Sequence, residues 1–362
     1  MDLHKRYTLS LLSLIFGVML ILVATSFYLE PLVGDVTRLG GYAENDFGWN
    51  GAQPVLKQEA SPLQTRYDHY ADVLAVGDSF SFGGLYGMLN FPWQSFLAAD
   101  TGFSVATISH YTHTNPPTYD PALLPAIVNS EAFQKTPPRV LILEVVERQL
   151  NMIPEFAGDC QAKEPPARLP RFALNPSPPA LAEAYRKKDR PSLKEQIAYA
   201  QKYLLGLIQR QWEKKPIVYP LALTTPRLFS NKKSDWLLVY EGDVKKTAWD
   251  EKQLADIRCR LANAQNLVQQ NGKTLFLAMI VPDKMTAYSR YLKDPAYADA
   301  SVIERLASAS GLHLVRLDQA LRAAVDKGVV DVYLPDDTHW AFQGHKAAAA
   351  ALAQYLADFP GD

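Results

Sequence analysis

A serine that follows a short apolar run is the first candidate for chemistry. Ser79 lies in the segment VGDSFS (76–81), which continues directly from the apolar residues after Asp72. Active sites of parallel α/β sheets lie at the carboxyl ends of strands, which is where this segment falls. A serine there exposes its hydroxyl, and its own N–H, near the start of a following helix, can stabilise an oxyanion. Gly-Asp-Ser is also ordinary turn chemistry, so the tripeptide alone does not establish a nucleophile.

A histidine near the other end of the chain supplies the base that a serine nucleophile needs. His339 lies in the segment LPDDTHW (334–340), ahead of Gly344 and an Ala-rich helical pattern. A carboxylate two or three residues before a histidine can reach its Nδ1 and leave Nε2 for the serine. Asp-x-x-His spacing selects Asp336 and Asp-x-His spacing selects Asp337. The alternative is an aspartate cap on the helix with a bystander histidine, but finding both motifs in one domain favours catalysis.

The two motifs together resemble a known family. Gly-Asp-Ser near the start of a domain and Asp-x-x-His near its end is the arrangement of SGNH hydrolases. The segment DTHW (337–340), followed by Gly344, more narrowly resembles the alginate O-acetyltransferase branch, and this similarity favours Asp337 as the triad acid. VVER (145–148) and VPDK (281–284) with Tyr288 add weaker similarity to that branch. The matches are scattered through residues 72–356.

Four further residues are candidates for the oxyanion hole or the substrate site: Arg148, Lys284, Tyr288 and Trp340. Arg148 could balance an oxyanion or form a surface ion pair with Glu147. Lys284 and Tyr288 could line the acceptor site, or they could be ordinary surface residues.

The resemblance has two departures. In the alginate enzymes we expect the Asp-x-His loop to precede the nucleophile, whereas here it follows, as in ordinary SGNH hydrolases. No counterpart is evident for the Gly and Asn that SGNH hydrolases place in the oxyanion hole.

The resemblance implies transfer of an acetyl group, through an acetyl-serine at Ser79, to hydroxyls of an exported polysaccharide. It also implies a membrane-bound O-acyltransferase as the partner that supplies acetyl groups, and no cofactor or metal. Two alternatives remain: an acetyl esterase or deacetylase with the same triad, and a non-catalytic component of a polysaccharide export complex. The intact Ser79, Asp337 and His339 argue against the non-catalytic alternative.

The amino-terminal residues indicate a membrane segment. Residues 7–29 carry no charge, and about 20 apolar residues suffice to span a bilayer as one helix. Lys5 and Arg6 precede them, and cationic flanks stay cytoplasmic. We therefore predict a cytoplasmic tail (1–6) and a single-pass inner-membrane anchor (7–29), with the catalytic domain in the periplasm or extracytoplasmic space. A cleaved signal peptide is the alternative, although residues 24–27 (ATSF) form a poor cleavage site.

Apolar runs that alternate with helical patterns predict an α/β fold, an SGNH-like doubly wound parallel sheet flanked by helices. The predicted strands are 72–77, 104–109, 139–145, 274–280 and 312–317. We assign residues 30–66 to an irregular lead-in linker and 67–358 to the catalytic domain. Residues 154–235, rich in proline and then helical, read as an insertion.

The composition excludes some functions and leaves one pairing open. A net charge of −1 gives no sign of a surface for nucleic acid. Cys160 and Cys259 lack metal-site spacing, and they could form a disulfide or remain two free thiols.

Overall fold

The computed structural model describes residues 3–29, 34–50, 53–56, 63–82, 93–112, 118–165, 169–177, 181–186, 192–209, 216–298, 300–308 and 311–360. The strands within these ranges are β1 Gln53–Leu56, β2 Leu63–Gln64, β3 Val73–Gly77, β4 Val105–Ser109, β5 Val140–Val146, β6 Leu181–Arg186, β7 Val218–Ala222, β8 Trp236–Tyr240 and β9 Leu275–Val281.

The α-helices of the described residues range from four to 27 residues. They are α1 Leu3–Leu29, α2 Asp35–Gly40, α3 Glu44–Phe47, α4 Ser79–Phe82, α5 Trp93–Thr101, α6 Leu123–Val128, α7 Glu131–Lys135, α8 Leu193–Gln209, α9 Glu241–Lys245, α10 Glu251–Gln269, α11 Lys284–Tyr288, α12 Ile303–Ala307, α13 Leu317–Asp326 and α14 Phe342–Asp358. Short 3₁₀ helices lie at Glu147–Met152, Lys246–Ala248, Ser289–Tyr291 and Pro295–Tyr297.

A parallel sheet of five strands forms the centre of the fold, in the order β2-β4-β3-β5-β9. Alternate residues of each strand face opposite sides, so β3 gives Val73 and Ala75 to one core and Leu74 and Val76 to the other. Helices α5, α13 and α14 cover the first core, and α6, α10 and α12 cover the second. Burial on both faces is why the strands read as continuous apolar runs, and it confirms the predicted α/β class with a parallel sheet.

The predicted strand at 312–317 is the exception. The structure has only an isolated parallel bridge between Leu314 and Ala278 of β9. Helix α13 begins at Leu317, so the chain leaves the sheet edge before a ladder can extend.

The amino-terminal helix α1 is long enough and apolar enough to cross a bilayer, with a mean hydropathy of 2.4 in its most apolar window. Length and composition alone do not separate an anchor from a signal sequence. Its last residue, Leu29, is buried against Ala43 and Ala200, and the Tyr28 hydroxyl donates to Asp46 Oδ2 at 3.1 Å. The carboxyl end of α1 is therefore packed against the rest of the molecule.

The sequence led us to expect an irregular lead-in. Its described part instead contains α2, α3, β1 and β2. Short elements of this size carry little periodic signal, and they are stabilised here by contacts far along the chain. Strand β2 joins the central sheet beside β4, and β1 pairs antiparallel with β6. Strand β6 belongs to the predicted insertion, which also contains α8 and β7.

Cys160 and Cys259 form a disulfide, which joins the segment after β5 to helix α10. The two residues are 99 positions apart in the sequence. A crosslink over so long a loop restricts the unfolded chain strongly, because loop closure costs more entropy as the loop lengthens.

We predict that replacing both cysteines (Cys160→Ser with Cys259→Ser) lowers the free energy of unfolding by about 2–5 kcal/mol. The thermal unfolding midpoint of the purified full-length chain should fall accordingly. Reduction of the wild-type protein should reproduce the shift and leave the double variant unchanged. Equal midpoints for oxidised wild type and double variant would contradict the prediction.

Candidate active site

A serine, a histidine and an aspartate form one hydrogen-bonded line at the carboxyl edge of the sheet. Ser79 is separated from the end of β3 by Asp78 alone and is the first residue of α4. Its Oγ lies 2.6 Å from His339 Nε2. On the other side of the ring, Nδ1 lies 2.6 Å from Asp337 Oδ1, which also accepts the backbone N–H of His339 at 2.9 Å. Bonding at both nitrogens fixes the ring between acid and hydroxyl, which is the geometry of a serine triad.

The structure separates the two candidate acids. Asp337, and not Asp336, lies against Nδ1 of His339. The backbone carbonyl of Asp336 instead accepts the N–H of Thr37 at 3.3 Å, so Asp336 ties the loop to α2.

The charges around His339 favour its protonated form. Burial alone would lower the pKa of this imidazole, but the adjacent Asp337 carboxylate and then Asp35 raise it above its usual value. The same contact with His339 lowers the pKa of Asp337, against the effect of burial. A base of raised pKa holds the proton it takes from a serine more firmly.

A buried glutamate holds the turn that presents Ser79. Glu144, in the middle of β5, accepts the Asp78 N–H at 2.9 Å and the Ser81 hydroxyl at 2.7 Å through Oε2. A Cβ on Gly77 would lie 2.5 Å from that oxygen, so any side chain at this position would displace the Glu144 carboxyl group. Burial, and then the charge of Asp78, raise the pKa of Glu144 well above its usual range. The only sequence signal for this role was a single acid in an apolar strand.

One backbone donor at this turn is available to an oxyanion. The N–H of Phe80 donates to Asp78 Oδ1 at 2.9 Å, whereas the N–H of Ser79 has no partner among the described residues. It lies at the first residue of α4, where backbone N–H groups have no intrahelical acceptor.

Lys284 and Tyr288, both fully buried, support the histidine loop from behind. Lys284 Nζ donates to the carbonyls of Leu334 and Pro335, both at 3.0 Å. Burial lowers the pKa of this lysine to about 8, although nearby aspartates oppose the shift. The Tyr288 hydroxyl accepts the N–H of Tyr333 at 3.2 Å. Both residues therefore bond backbone groups of residues 333–335, at the start of the loop that carries His339.

Arg148 keeps 11% of its side chain exposed, and it pairs with Asp243 at 3.4 Å and not with Glu147. Glu147 is held by Lys246, 3.2 Å away. Burial would lower the pKa of Arg148, but Asp243 and more distant carboxylates, Asp35 among them, raise it. The charge of Arg148 in turn lowers the pKa of His339, so this cation acts electrostatically on the site.

Trp340 forms part of the wall beside the triad. Its ring meets Phe80 edge-on with centroids 5.1 Å apart, and Phe80 also lies 4.5 Å from the His339 ring. Trp340 is 1% exposed, so it packs the base of the loop.

Sequence reasoning missed Asp35, which lies in the lead-in and contacts the histidine loop. Its Oδ1 accepts the N–H of Thr338 at 2.7 Å, and its own N–H donates to Asp337 Oδ2 at 3.0 Å. Asp35, Asp337 and His339 each offer one possible ligand atom, and these three atoms lie within 4.8 Å of one another, a spacing that could also suit a cation. Both ring nitrogens of His339 are, however, engaged by Asp337 and Ser79, which fits proton transfer better.

Comparison with protein families gives one match. Residues 232–361, about a third of the chain, match the model of the SGNH hydrolase-like domain of acetyltransferase AlgX. This region is SGNH hydrolase-like. The resemblance to the alginate O-acetyltransferase branch is confirmed by this match. No curated protein and no solved structure matches the chain.

The matched region of this SGNH-like domain contains Asp337 and His339 but not Ser79. The assignment of Ser79 to the same site therefore depends on the 2.6 Å contact with His339 across 260 positions of sequence.

We predict that Asp337→Asn lowers the rate at which a fluorophosphonate probe labels Ser79 by about 10²–10⁴-fold, because an amide favours the wrong tautomer of His339. Asp336→Asn is the matched control on the neighbouring acid, and it should change the rate less than about tenfold. The labelling rate is measured by gel fluorescence. Equal losses in the two variants would contradict the assignment of Asp337.

We predict that labelling of Ser79 is lost as the pH falls through the pKa of His339, because only the neutral ring accepts a proton. That pKa is raised, so the midpoint of this loss, the pH at which the labelling rate has fallen by half, should lie above ~6.5, the ordinary histidine value. Rates measured from pH 5 to 9 give the midpoint. A midpoint below the ordinary value would show that Asp337 and Asp35 do not dominate the ring's environment.

Proposed function

We propose that the protein is an extracytoplasmic O-acetyltransferase that moves acetyl groups through Ser79 onto hydroxyls of an exported polysaccharide. The observation that carries the proposal is the unbroken line from Ser79 Oγ through His339 to Asp337. The match of residues 232–361 to an acetyltransferase domain supports acetyl as the group transferred.

The proposed reaction is a double displacement. Ser79 Oγ attacks the carbonyl carbon of an acetyl ester while its proton passes to His339 Nε2. The tetrahedral intermediate then collapses, and the leaving alkoxide takes that proton as the acetyl-serine forms. An acceptor hydroxyl attacks this ester, gives its proton to His339, and leaves as an acetylated sugar when the proton returns to Ser79.

Charge that develops on the carbonyl oxygen requires donors. The Ser79 N–H has no hydrogen-bond partner among the described residues, and the partly buried cation of Arg148 acts at longer range. Asp337 holds His339 in the tautomer with its free nitrogen towards the serine, and it stabilises the imidazolium that forms.

We further propose that α1 is a single-pass inner-membrane anchor and that the domain lies in the periplasm. Lys5 and Arg6 at the amino end of α1 support this orientation. The Cys160–Cys259 disulfide supports an oxidising compartment.

The anchor supports a membrane-bound acetyl donor, which we propose to be an O-acyltransferase. Asp35 lies six residues after Leu29, and an extended chain spans about 3.3–3.6 Å per residue. Six extended residues reach about 20–22 Å, so Asp35, which touches the triad acid, lies within that distance of the end of α1. A donor in the same membrane could therefore reach it.

The strand order supports a doubly wound sheet of the SGNH kind as the scaffold. Among the four strands β4-β3-β5-β9, the first in the chain is β3, which lies inside the group. The next strand, β4, is added on one side of β3, and the last two, β5 and β9, are added on the other side. The switch between these directions falls beside β3, and ligands bind at such a switch.

The proposal predicts different fates for acetyl groups with and without sugar. Full-length protein in detergent is given p-nitrophenyl acetate, and acetate and acetylated oligosaccharide are measured by mass spectrometry. We expect acetyl-Ser79 as an intermediate and acetylated sugar as the product when oligosaccharides are present. Ser79→Ala should abolish both, whereas Ser308→Ala, a surface serine, should change neither.

Two outcomes would overturn the proposal at different levels. Acetate without acetylated sugar, for every polysaccharide tried, would identify an esterase that uses the same triad. Full turnover in Ser79→Ala would exclude both transfer and hydrolysis at this serine.

A further inference from the structure

Asp35, at the start of α2, binds two consecutive residues of the loop that carries His339. Its Oδ1 accepts the Thr338 N–H at 2.7 Å, and its Oδ2 accepts the Thr338 hydroxyl. Its backbone N–H donates to Asp337 Oδ2 at 3.0 Å. Asp337 therefore has one oxygen on Asp35 and the other on His339.

We propose that Asp35 is a positioning residue that fixes the Asp337–His339 pair relative to Ser79, so that the segment after α1 completes the candidate catalytic centre. The inference rests on the proposed function, because positioning affects the reaction only if Ser79 reacts.

The segment around Asp35 is itself firmly held against the loop. A Cβ on Gly34 would lie 1.9 Å from the carbonyl oxygen of Asp336, so no side chain fits between the two backbones. The buried Glu44 accepts the N–H of Gly34 at 2.9 Å and the hydroxyl of Thr37 at 2.5 Å. Thr37 N–H donates in turn to the Asp336 carbonyl. Asp35 thus projects from a fixed backbone.

A fixed partner for the second oxygen of Asp337 has a direct consequence for the ring. A carboxylate that bonds only Nδ1 can rotate about its side-chain torsions and carry the imidazole with it. The Asp35 N–H bonds the other oxygen of Asp337, and the Asp35 carboxylate holds Thr338, the residue between Asp337 and His339, by two further hydrogen bonds. Together these bonds restrict the Asp337–His339 pair, as outer hydrogen-bond partners orient metal-ligating histidines and carboxylates. Since misplacement by about 1 Å can cost about 10²-fold in rate, this restraint is large enough to measure.

Asp35 also acts through its charge. Its Oδ2 lies 3.9 Å from His339 Nδ1, and it raises the pKa of that ring together with Asp337. Burial, and then Asp337, raise the pKa of Asp35 itself to about 6. The other charged groups here are Arg148, which lowers the pKa of His339, and Lys284, whose pKa is lowered by burial while Asp35 and the neighbouring aspartates oppose that shift.

One neighbouring histidine does not add charge at neutral pH. His345, packed beneath Trp340, has its pKa lowered to about 3 by burial and then by His339. The charge balance around His339 near neutral pH therefore depends on Asp35, Asp337, Arg148 and Lys284.

The test compares Asp35→Asn and Asp35→Ala in the full-length chain in detergent. Asparagine keeps the shape and one acceptor oxygen but removes the charge, whereas alanine removes both bonds to Thr338. We expect the rate of Ser79 labelling by a fluorophosphonate to fall about 10–100-fold in the alanine variant and less than about tenfold in the asparagine variant. Asp46→Asn, in the same lead-in and bonded to Tyr28, is the control and should label at the wild-type rate.

A second measurement follows the ring directly. The titration midpoint of His339 is read by NMR of protein labelled with ¹⁵N-histidine, and its signal is assigned by its loss in His339→Ala. Both Asp35 variants should lower this midpoint, because a negative charge beside Nδ1 is removed, and Asp46→Asn should leave it unchanged.

The two measurements separate the possible failures. Wild-type labelling by Asp35→Ala would overturn the inference, and so would slower labelling with an unchanged His339 midpoint, since that pattern indicates general loss of structure. If wild-type protein does not label at Ser79, the proposed function fails. The His339 midpoint in Asp35→Asn then still decides the inference, because a shift supports contact of Asp35 with the pair and no shift overturns it.

Discussion

The contact between Ser79 and His339 is the interaction on which the interpretation of this molecule depends. The two residues approach to 2.6 Å although 260 positions separate them. Two conditions make this possible: β3 must end at the centre of the sheet, and the loop before α14 must return to the same edge. The cores on both faces of the sheet supply the rigidity, because close-packed interiors leave little room for relative movement of the strands.

Much of the support for this contact consists of buried charge, which is costly unless it is paired. Lys246 is fully buried between Glu147 and Asp283, each 3.2 Å away, and it also donates to the hydroxyl of Thr286. The partly buried Arg148 and the fully buried Asp243 form a second pair beside them. These groups lie on α9 and α11 or next to the ends of β5, α9 and α11, so their pairing joins the elements that surround the histidine loop.

Similarity to a known domain and the geometry of the site complement each other. The matched residues, 232–361, include Asp337 and His339 but begin far after Ser79 in the sequence. The same region includes Lys284 and Tyr288, which the structure places behind the loop as supports for its backbone. Residues outside the match supply the rest of the arrangement: Ser79, Glu144 beneath its turn, and Asp35 from the segment that follows α1.

The sequence by itself determined the α/β class, the main parallel strands and the apolar amino-terminal helix, because periodicity and continuous apolar runs are local signals. It also selected Ser79 and His339, since a Gly-Asp-Ser turn and an Asp-Thr-His-Trp segment are short and chemically specific. The resemblance already favoured Asp337 over Asp336, and the structure shows Asp337 on the ring. Only the tertiary structure paired Cys160 with Cys259. It alone revealed Asp35 and Glu144, because a carboxylate's partners across 303 or 63 positions depend on chain packing and leave no local pattern.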